Sequence, residues 1–161
     1  MNEQKSVVAR PWERKFRGFS FTRAFTPKRR IAPKAVARFK ERVRELTRRT
    51  RGVSIEKMAE ELARNLRGLI GYFGRCETPS VLRSLEEWLR RRLTSVIWKQ
   101  WKRGRTRFAE LRKQGVGEDL AAQTAGSAPG PWRLANSPAL AIALPNAYFA
   151  SLVIPPLTVH Q

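Results

Sequence analysis

Apolar positions change their period twice along this chain. Val7, Val8, Trp12, Phe16, Phe19, Phe21 and Phe25 alternate loosely with polar positions around Gly18, which predicts one or two short strands within residues 1–25. Two strands alone are marginal in water, so this piece needs a support to lean on. Residues 26–32 read as a basic, proline-containing linker. From Pro33 the steps lengthen to three and four. Val36, Phe39, Val43 and Leu46 predict a first helix over about 33–50, ended by Gly52, with Pro33 suited to its first turn.

Ser54 is a cap residue for a second helix, with Glu56 favoured in its first turn by the helix dipole. Its apolar stripe is Ile55, Met58, Ala59, Leu62, Leu66, Leu69, Ile70 and Phe73, running to Gly74. Thr78 and Pro79 open a third helix over about 79–103, which buries Val81, Leu82, Leu85, Trp88, Leu89, Leu93 and Val96 on one face. Shorter pieces follow at 105–114 and 118–125, then the loop GSAPGPW, then an apolar helix from Ser137 that Pro145 interrupts. There is no internal repeat. The predicted class is mainly α: a three-helix bundle, a C-terminal helical cap and a short N-terminal β piece.

Charge adds a partner class to this outline. Of the 33 Lys and Arg residues, 32 precede residue 114, and Arg133 alone lies beyond it. Only 13 acidic residues offset them, leaving a net +20. Self-repulsion on that scale opposes compaction unless a polyanion shares the surface, and nucleic acid is the commonest polyanion. Apolar content of 42% is enough for a core in 161 residues. One cysteine, Cys76, allows no internal disulfide and suggests a reducing compartment. The first fifteen residues lack an apolar signal core, and no apolar run approaches the roughly 20 residues of a membrane span. The expectation is a soluble, cytoplasmic protein with no membrane partner.

On the third helix, Arg83, Arg90, Arg91 and Lys102 fall opposite the apolar stripe, and so do Trp98 and Trp101. Basic side chains among aromatics suit nucleic acid, where guanidinium groups meet phosphates and indoles stack on bases. The competing and preferred reading has the apolar C-terminal segment covering both rings. Lys28, Arg29 and Arg30 precede a helix start, where a phosphate also finds free backbone N–H groups. Arg38, Lys40, Arg42, Arg44, Arg48 and Arg49 stud the first helix with Glu41 and Glu45 between them, as a solvated face would. The sum of these charges and their segregation, more than any single arginine, point to RNA.

Catalytic constellations are missing from the sequence. Asp119 is the single aspartate, whereas a two-metal site needs clustered carboxylates. Most of the twelve glutamates sit at helix-surface spacings beside Lys or Arg, as ion pairs would. His160 is the single histidine, in the tail; Cys76 has no base beside it and reads as a small buried or helix-end residue. No Walker loop, GxSxG or metal-ligand cluster occurs. The chain is expected to be no enzyme by itself, with no catalytic residue, no metal and no cofactor.

Several phrases resemble one family, the group II intron reverse transcriptase/maturases, in the part C-terminal to their polymerase palm. NEQKS at Asn2–Ser6 and ARPWERKFRGFSFT at Ala9–Thr22 are similar to the final palm segment, where the family usually has a Phe-Leu-Gly-Phe-like turn. RFKERVRELTRRTRG (Arg38–Gly52), SIEKMAEELARNLRGLIGYF (Ser54–Phe73) and LEEWLRRRLTSVIWKQWKR (Leu85–Arg103) resemble the maturase-specific region, or thumb. GPWRLANSPALAIALPNAYFASL (Gly130–Leu152) looks like the end of that region. Arg17 stands where the family commonly has an apolar residue at a turn packed on the palm. Leu69 stands where it commonly has Trp, which keeps the core stripe apolar with a small cavity at worst.

The resemblance implies a thumb-like helical bundle that grips intron RNA and assists splicing and mobility. It assigns residues 1–25 to a remnant of the palm and 26–161 to the maturase-specific domain. The family's paired catalytic aspartates have no counterpart in these residues, which implies a fragment, a degenerate remnant or a separately expressed half without polymerase activity. An RNA/DNA duplex and a separate reverse transcriptase palm are further partners on this view. Two alternatives stay open: a generic basic RNA- or DNA-binding module, and the thumb half of a split reverse transcriptase. The expected phosphate contacts are Lys28, Arg29, Arg30, Lys34, Arg64, Arg67, Arg90, Arg91, Lys99, Lys102, Arg103 and Arg105.

Overall fold

Local signals in the sequence set most helix starts. The computed structural model describes residues 10–13, 17–48 and 51–158. In chain order they form a short 3-10 turn at Pro11–Glu13, strands β1 (Phe19–Phe21) and β2 (Arg29–Ile31), and helices α1 (Pro33–Leu46), α2 (Ile55–Phe73) and α3 (Pro79–Gln100). There follow α4 (Gly104–Lys113), α5 (Glu118–Ala125), α6 (Pro131–Leu134), α7 (Pro138–Ala143) and α8 (Asn146–Ser151). The molecule is mainly helical, with one short antiparallel sheet at its N-terminal end among the described residues.

Ser54 caps α2 by accepting from the Lys57 N–H at 3.3 Å, and Ser137 caps α7 by accepting from the Leu140 N–H at 3.4 Å. Pro33 and Pro79 occupy first-turn positions. Thr78 sits at the expected cap of α3 but its hydroxyl does not cap; Oγ1 instead lies 3.1 Å from Cys76 Sγ. Helix α1 stops at Leu46, four residues short of the expected end, where Thr47 turns its hydroxyl onto the Val43 carbonyl at 2.7 Å. The expected interruption at Pro145 divides the last apolar run into α7 and α8.

Two expectations need correction. The basic stretch 26–32 is not simply a linker, because Arg29–Ile31 pairs with β1 in the register Phe19–Ile31, Ser20–Arg30, Phe21–Arg29. The hairpin therefore straddles the expected boundary at residue 25, and Phe25 stands fully exposed between its strands. The loop GSAPGPW also conceals the start of α6, which packs on α3. Val7, Val8, Phe16 and His160 lie outside the described residues.

The hairpin leans on α2, as two strands must. Phe19 meets Tyr72 with ring centroids 4.9 Å apart. Gly18 makes this approach possible: it has φ +80° and faces the Tyr72 hydroxyl, in space that a side chain would fill. Arg17 beside it also has positive φ, 48°, and is exposed. Phe39 of α1 packs edge-on against Phe73 of α2 and Trp88 of α3, tying the three long helices together. One buried cluster runs from Phe19 and Ile31 through Leu62, Leu66, Leu85 and Leu93 to Leu111, Val116, Leu140 and Phe149. Ile55, Leu69, Ile70, Val81 and Trp88 are partly buried at its margin, although the periodicity placed them inside. The tail is fastened where Thr158 donates from its N–H to Glu86 Oε2 of α3 at 3.2 Å.

Candidate nucleic-acid interface

Helix α1 presents Lys34, Arg38 and Arg42 at four-residue steps, so they share one face. That face borders a cleft of about 960 Å³ between α1, α2 and the hairpin, with Phe39, Leu69, Tyr72 and Phe73 on its walls. Arg64 of α2 borders a second cleft with Arg42, Arg51, Glu45 and Glu61. The charges there are partly neutralised: Arg42 pairs with Glu45 at 2.9 Å and Arg51 with Glu61 at 2.6 Å. Lys99 and Lys102 share a third cleft, of about 380 Å³, with Arg48 and Arg92. Arg90 and Arg91 border a groove of about 610 Å³ between α3 and the α6–α7 segment, beside Trp88 and Trp132.

The remaining expected residues are dispersed. Lys28, Arg29 and Arg30 lie on β2 and its approach, and all three are exposed. Arg29 is held by Glu77, whose Oε2 lies 3.5 Å from Arg29 Nε and accepts from the Arg29 backbone N–H at 2.5 Å. That backbone bond, followed by the Arg29 charge, lowers the Glu77 pKa from its ordinary value. Arg30 Nε donates to Ser20 Oγ at 3.1 Å. Arg67 is exposed on α2, and Arg103 and Arg105 are exposed around the start of α4. The twelve thus fall into several sets on different elements.

The aromatic pattern follows the preferred reading of the sequence. Trp98 and Trp101 are 1% and 8% exposed, so neither is a surface for bases. Their rings meet edge-on at 6.1 Å and belong to the cluster that includes Leu111, Val116, Ala121 and Leu140 of the C-terminal cap. Covering by that cap explains two tryptophans lying opposite the main stripe. Surface aromatics occur elsewhere. Lys40 and Arg44 lie 5.2 and 5.5 Å from the Trp88 ring, and Arg91 lies 4.3 Å from that of Trp132 while its Nε donates to the Trp132 carbonyl at 3.0 Å.

Arg92 is the cation that sequence reasoning did not single out. It is partly buried, and its Nε donates to Thr47 Oγ1 at 3.0 Å. Burial, and then the nearby charge of Arg44, push its pKa down. In an Arg90-Arg91-Arg92 run nothing local marks the third residue; only the packing of α3 beside the end of α1 does so.

Among the described residues, three carboxylate ion pairs occur, those of Arg29, Arg42 and Arg51. The glutamates therefore do not seal the basic surface, contrary to what their spacing suggested. No group of three or more potential metal ligands occurs among the described residues, and no described helix is long and apolar enough to cross a membrane.

A mainly helical, strongly basic bundle with largely unpaired cations defines the class, and a family comparison names it. Residues 36–115, spanning α1 to the end of α4, match the family model of the group II intron, maturase-specific domain. The chain belongs to that family and carries the C-terminal, maturase-specific region of a group II intron maturase. This domain is not itself catalytic. No curated protein matches the chain.

Proposed function

We propose that this domain binds structured group II intron RNA, mainly through backbone and shape, and thereby assists splicing and mobility of the intron. The observation that carries the reading is the surplus of unneutralised cations. Within the matched segment, Arg64, Arg67, Arg90, Lys99, Lys102, Arg103 and Arg105 have no carboxylate partner among the described residues. A-form RNA offers phosphates and 2′-hydroxyls in a fixed spatial pattern, which dispersed cations on a rigid bundle can match. Lys28, Arg29, Arg30, Lys34 and Arg91 complete the proposed contact set. In this reading residues 26–161 form the maturase-specific unit and residues 1–25 the end of a palm, joined by the hairpin.

A titration of labelled intron RNA against salt tests this. Affinity falls steeply, with a log–log slope of several units if about six phosphates are engaged. Intron RNA outcompetes bulk RNA and duplex DNA. A flat salt profile, or equal competition by duplex DNA, overturns the reading in favour of a generic basic module or a docking unit.

A further inference from the structure

In the cleft between the end of α1 and the last turns of α3, no bordering cation belongs to a carboxylate ion pair among the described residues, whereas Arg42 of the cleft beside the hairpin is paired with Glu45. Arg48, Arg92, Lys99 and Lys102 all border the α1–α3 cleft, and no carboxylate does among the described residues. The cleft beside Arg64, by contrast, includes Glu45 and Glu61, each within an ion pair. At about 380 Å³ it is small, and the uncharged polar side chains of Thr47 and Gln100 help to line it.

Arg92 gives the cleft its meaning. Thr47 is buried, with 1% of its surface exposed, and its hydroxyl donates to the Val43 carbonyl while accepting from Arg92 Nε. One edge of the guanidinium is thereby fixed. Its terminal nitrogens have no hydrogen-bond partner among the described residues. Partly buried, the guanidinium has lost some of the hydration that an anion or several acceptors would restore, and the charge of Arg44 adds to the cost. Such a planar, pre-oriented fork matches the oxygens of a phosphate.

We propose that this cleft is a phosphate cradle, in which one phosphate group seats against Arg92 while Arg48, Lys99 and Lys102 neutralise it. The source of that phosphate, a phosphodiester of bound RNA, rests on the function proposed above; the chemistry of the cleft does not. Occupancy would also bridge α1 to α3, because Arg92 is already tied to the end of α1 through Thr47.

Inorganic phosphate is the first probe, read as the thermal midpoint of the protein in phosphate against chloride at equal ionic strength. Phosphate also stabilises proteins by exclusion from their surface, so variants are compared at one concentration. The wild type and a control lacking two exposed charges beyond the other end of α2, Arg23→Gln with Arg75→Gln, gain several degrees alike. Lys99→Gln with Lys102→Gln keeps less than half of that gain, and so does Arg92→Gln. Should Arg92→Gln fail to fold, the lysine pair alone carries the test. An equal response from all variants overturns the cradle.

The RNA arm identifies the source. If the phosphate is that of RNA, the lysine pair lowers the log–log salt slope of intron RNA binding by about two units, roughly one for each cation withdrawn from the phosphates. An unchanged slope beside an abolished phosphate response overturns the RNA source and assigns the cradle to a free phosphorylated ligand. A wild type that responds to phosphate but binds no intron RNA overturns the proposed function and leaves the cradle standing.

Discussion

The guanidinium of Arg107 lies 4.6 Å from the centre of the Trp98 ring, and its Nε donates to the Trp101 carbonyl at 2.8 Å. That carbonyl closes the last turn of α3, where helical partners have run out. One side chain from α4 thus covers an aromatic face and satisfies a helix end. Arg107→Ala should destabilise the fold by about 1–3 kcal/mol, because the cation leaves the indole face and the carbonyl is left without a donor. Urea denaturation followed by circular dichroism measures it, and an unchanged midpoint would contradict this account of Arg107.

Trp98 and Trp132 should differ widely in their response to truncation. Trp98→Ala leaves a large void in a sealed cluster and should cost about 3–5 kcal/mol. Trp132 is 40% exposed, and its replacement by Ala should cost far less. Comparable losses at the two positions would mean that the C-terminal cap does not pack as described.

Gly18→Ala should loosen the hairpin. The added methyl meets the Tyr72 hydroxyl, and φ +80° disfavours any L side chain, at about 1 kcal/mol or more. Tyr72→Phe in the same chain should recover part of the loss by removing the hydroxyl but none of the backbone strain. A double-mutant cycle measures that coupling, and strictly additive losses would rule out the clash.

The Arg29–Glu77 pair carries a pH dependence of defined sign. The Glu77 pKa is lowered in the folded protein, so its contribution is complete above the ordinary value of 4.5 and fades as pH falls through the folded value. Both side chains are about half exposed, which keeps the effect modest. The wild type should lose more thermal stability than Glu77→Gln between about pH 6 and the acid side of this window. Parallel losses in the two proteins would remove Glu77 as the cause.

Arg64→Gln with Arg67→Gln should separate binding from folding. Both residues are exposed on α2 and lack an ion pair among the described residues, so stability should stay within about 0.5 kcal/mol. RNA affinity should fall on many sequences alike, with the salt slope reduced by roughly one unit per arginine replaced. A loss confined to one RNA sequence would indicate base reading at these positions.

The three long helices were legible because their signals are local. Ser54, Pro33 and Pro79 mark starts by their own chemistry, and Leu62, Leu66, Leu85 and Leu89 repeat within a single helix. What escaped depends on partners distant in the chain. Arg29–Ile31 becomes a strand only because Phe19–Phe21 lies beside it, and its basic residues conceal the pattern. The cover over Trp98 and Trp101 was legible as the apolar C-terminal segment, but not the second layer of α4 to α7 through which that segment packs. The same holds for the interface: the total charge was visible, but the partly buried position of Arg92 requires α1 and α3 to be in place.

Of the five tryptophans, Trp98 and Trp101 are buried, Trp12 and Trp88 are intermediate and Trp132 is exposed, which grades the indole fluorescence by environment. The sealed pair should emit at short wavelength and resist acrylamide until the bundle melts, whereas Trp132 should be quenched readily while the protein is intact. Unlabelled material would then report melting and surface occupancy in separate parts of one spectrum.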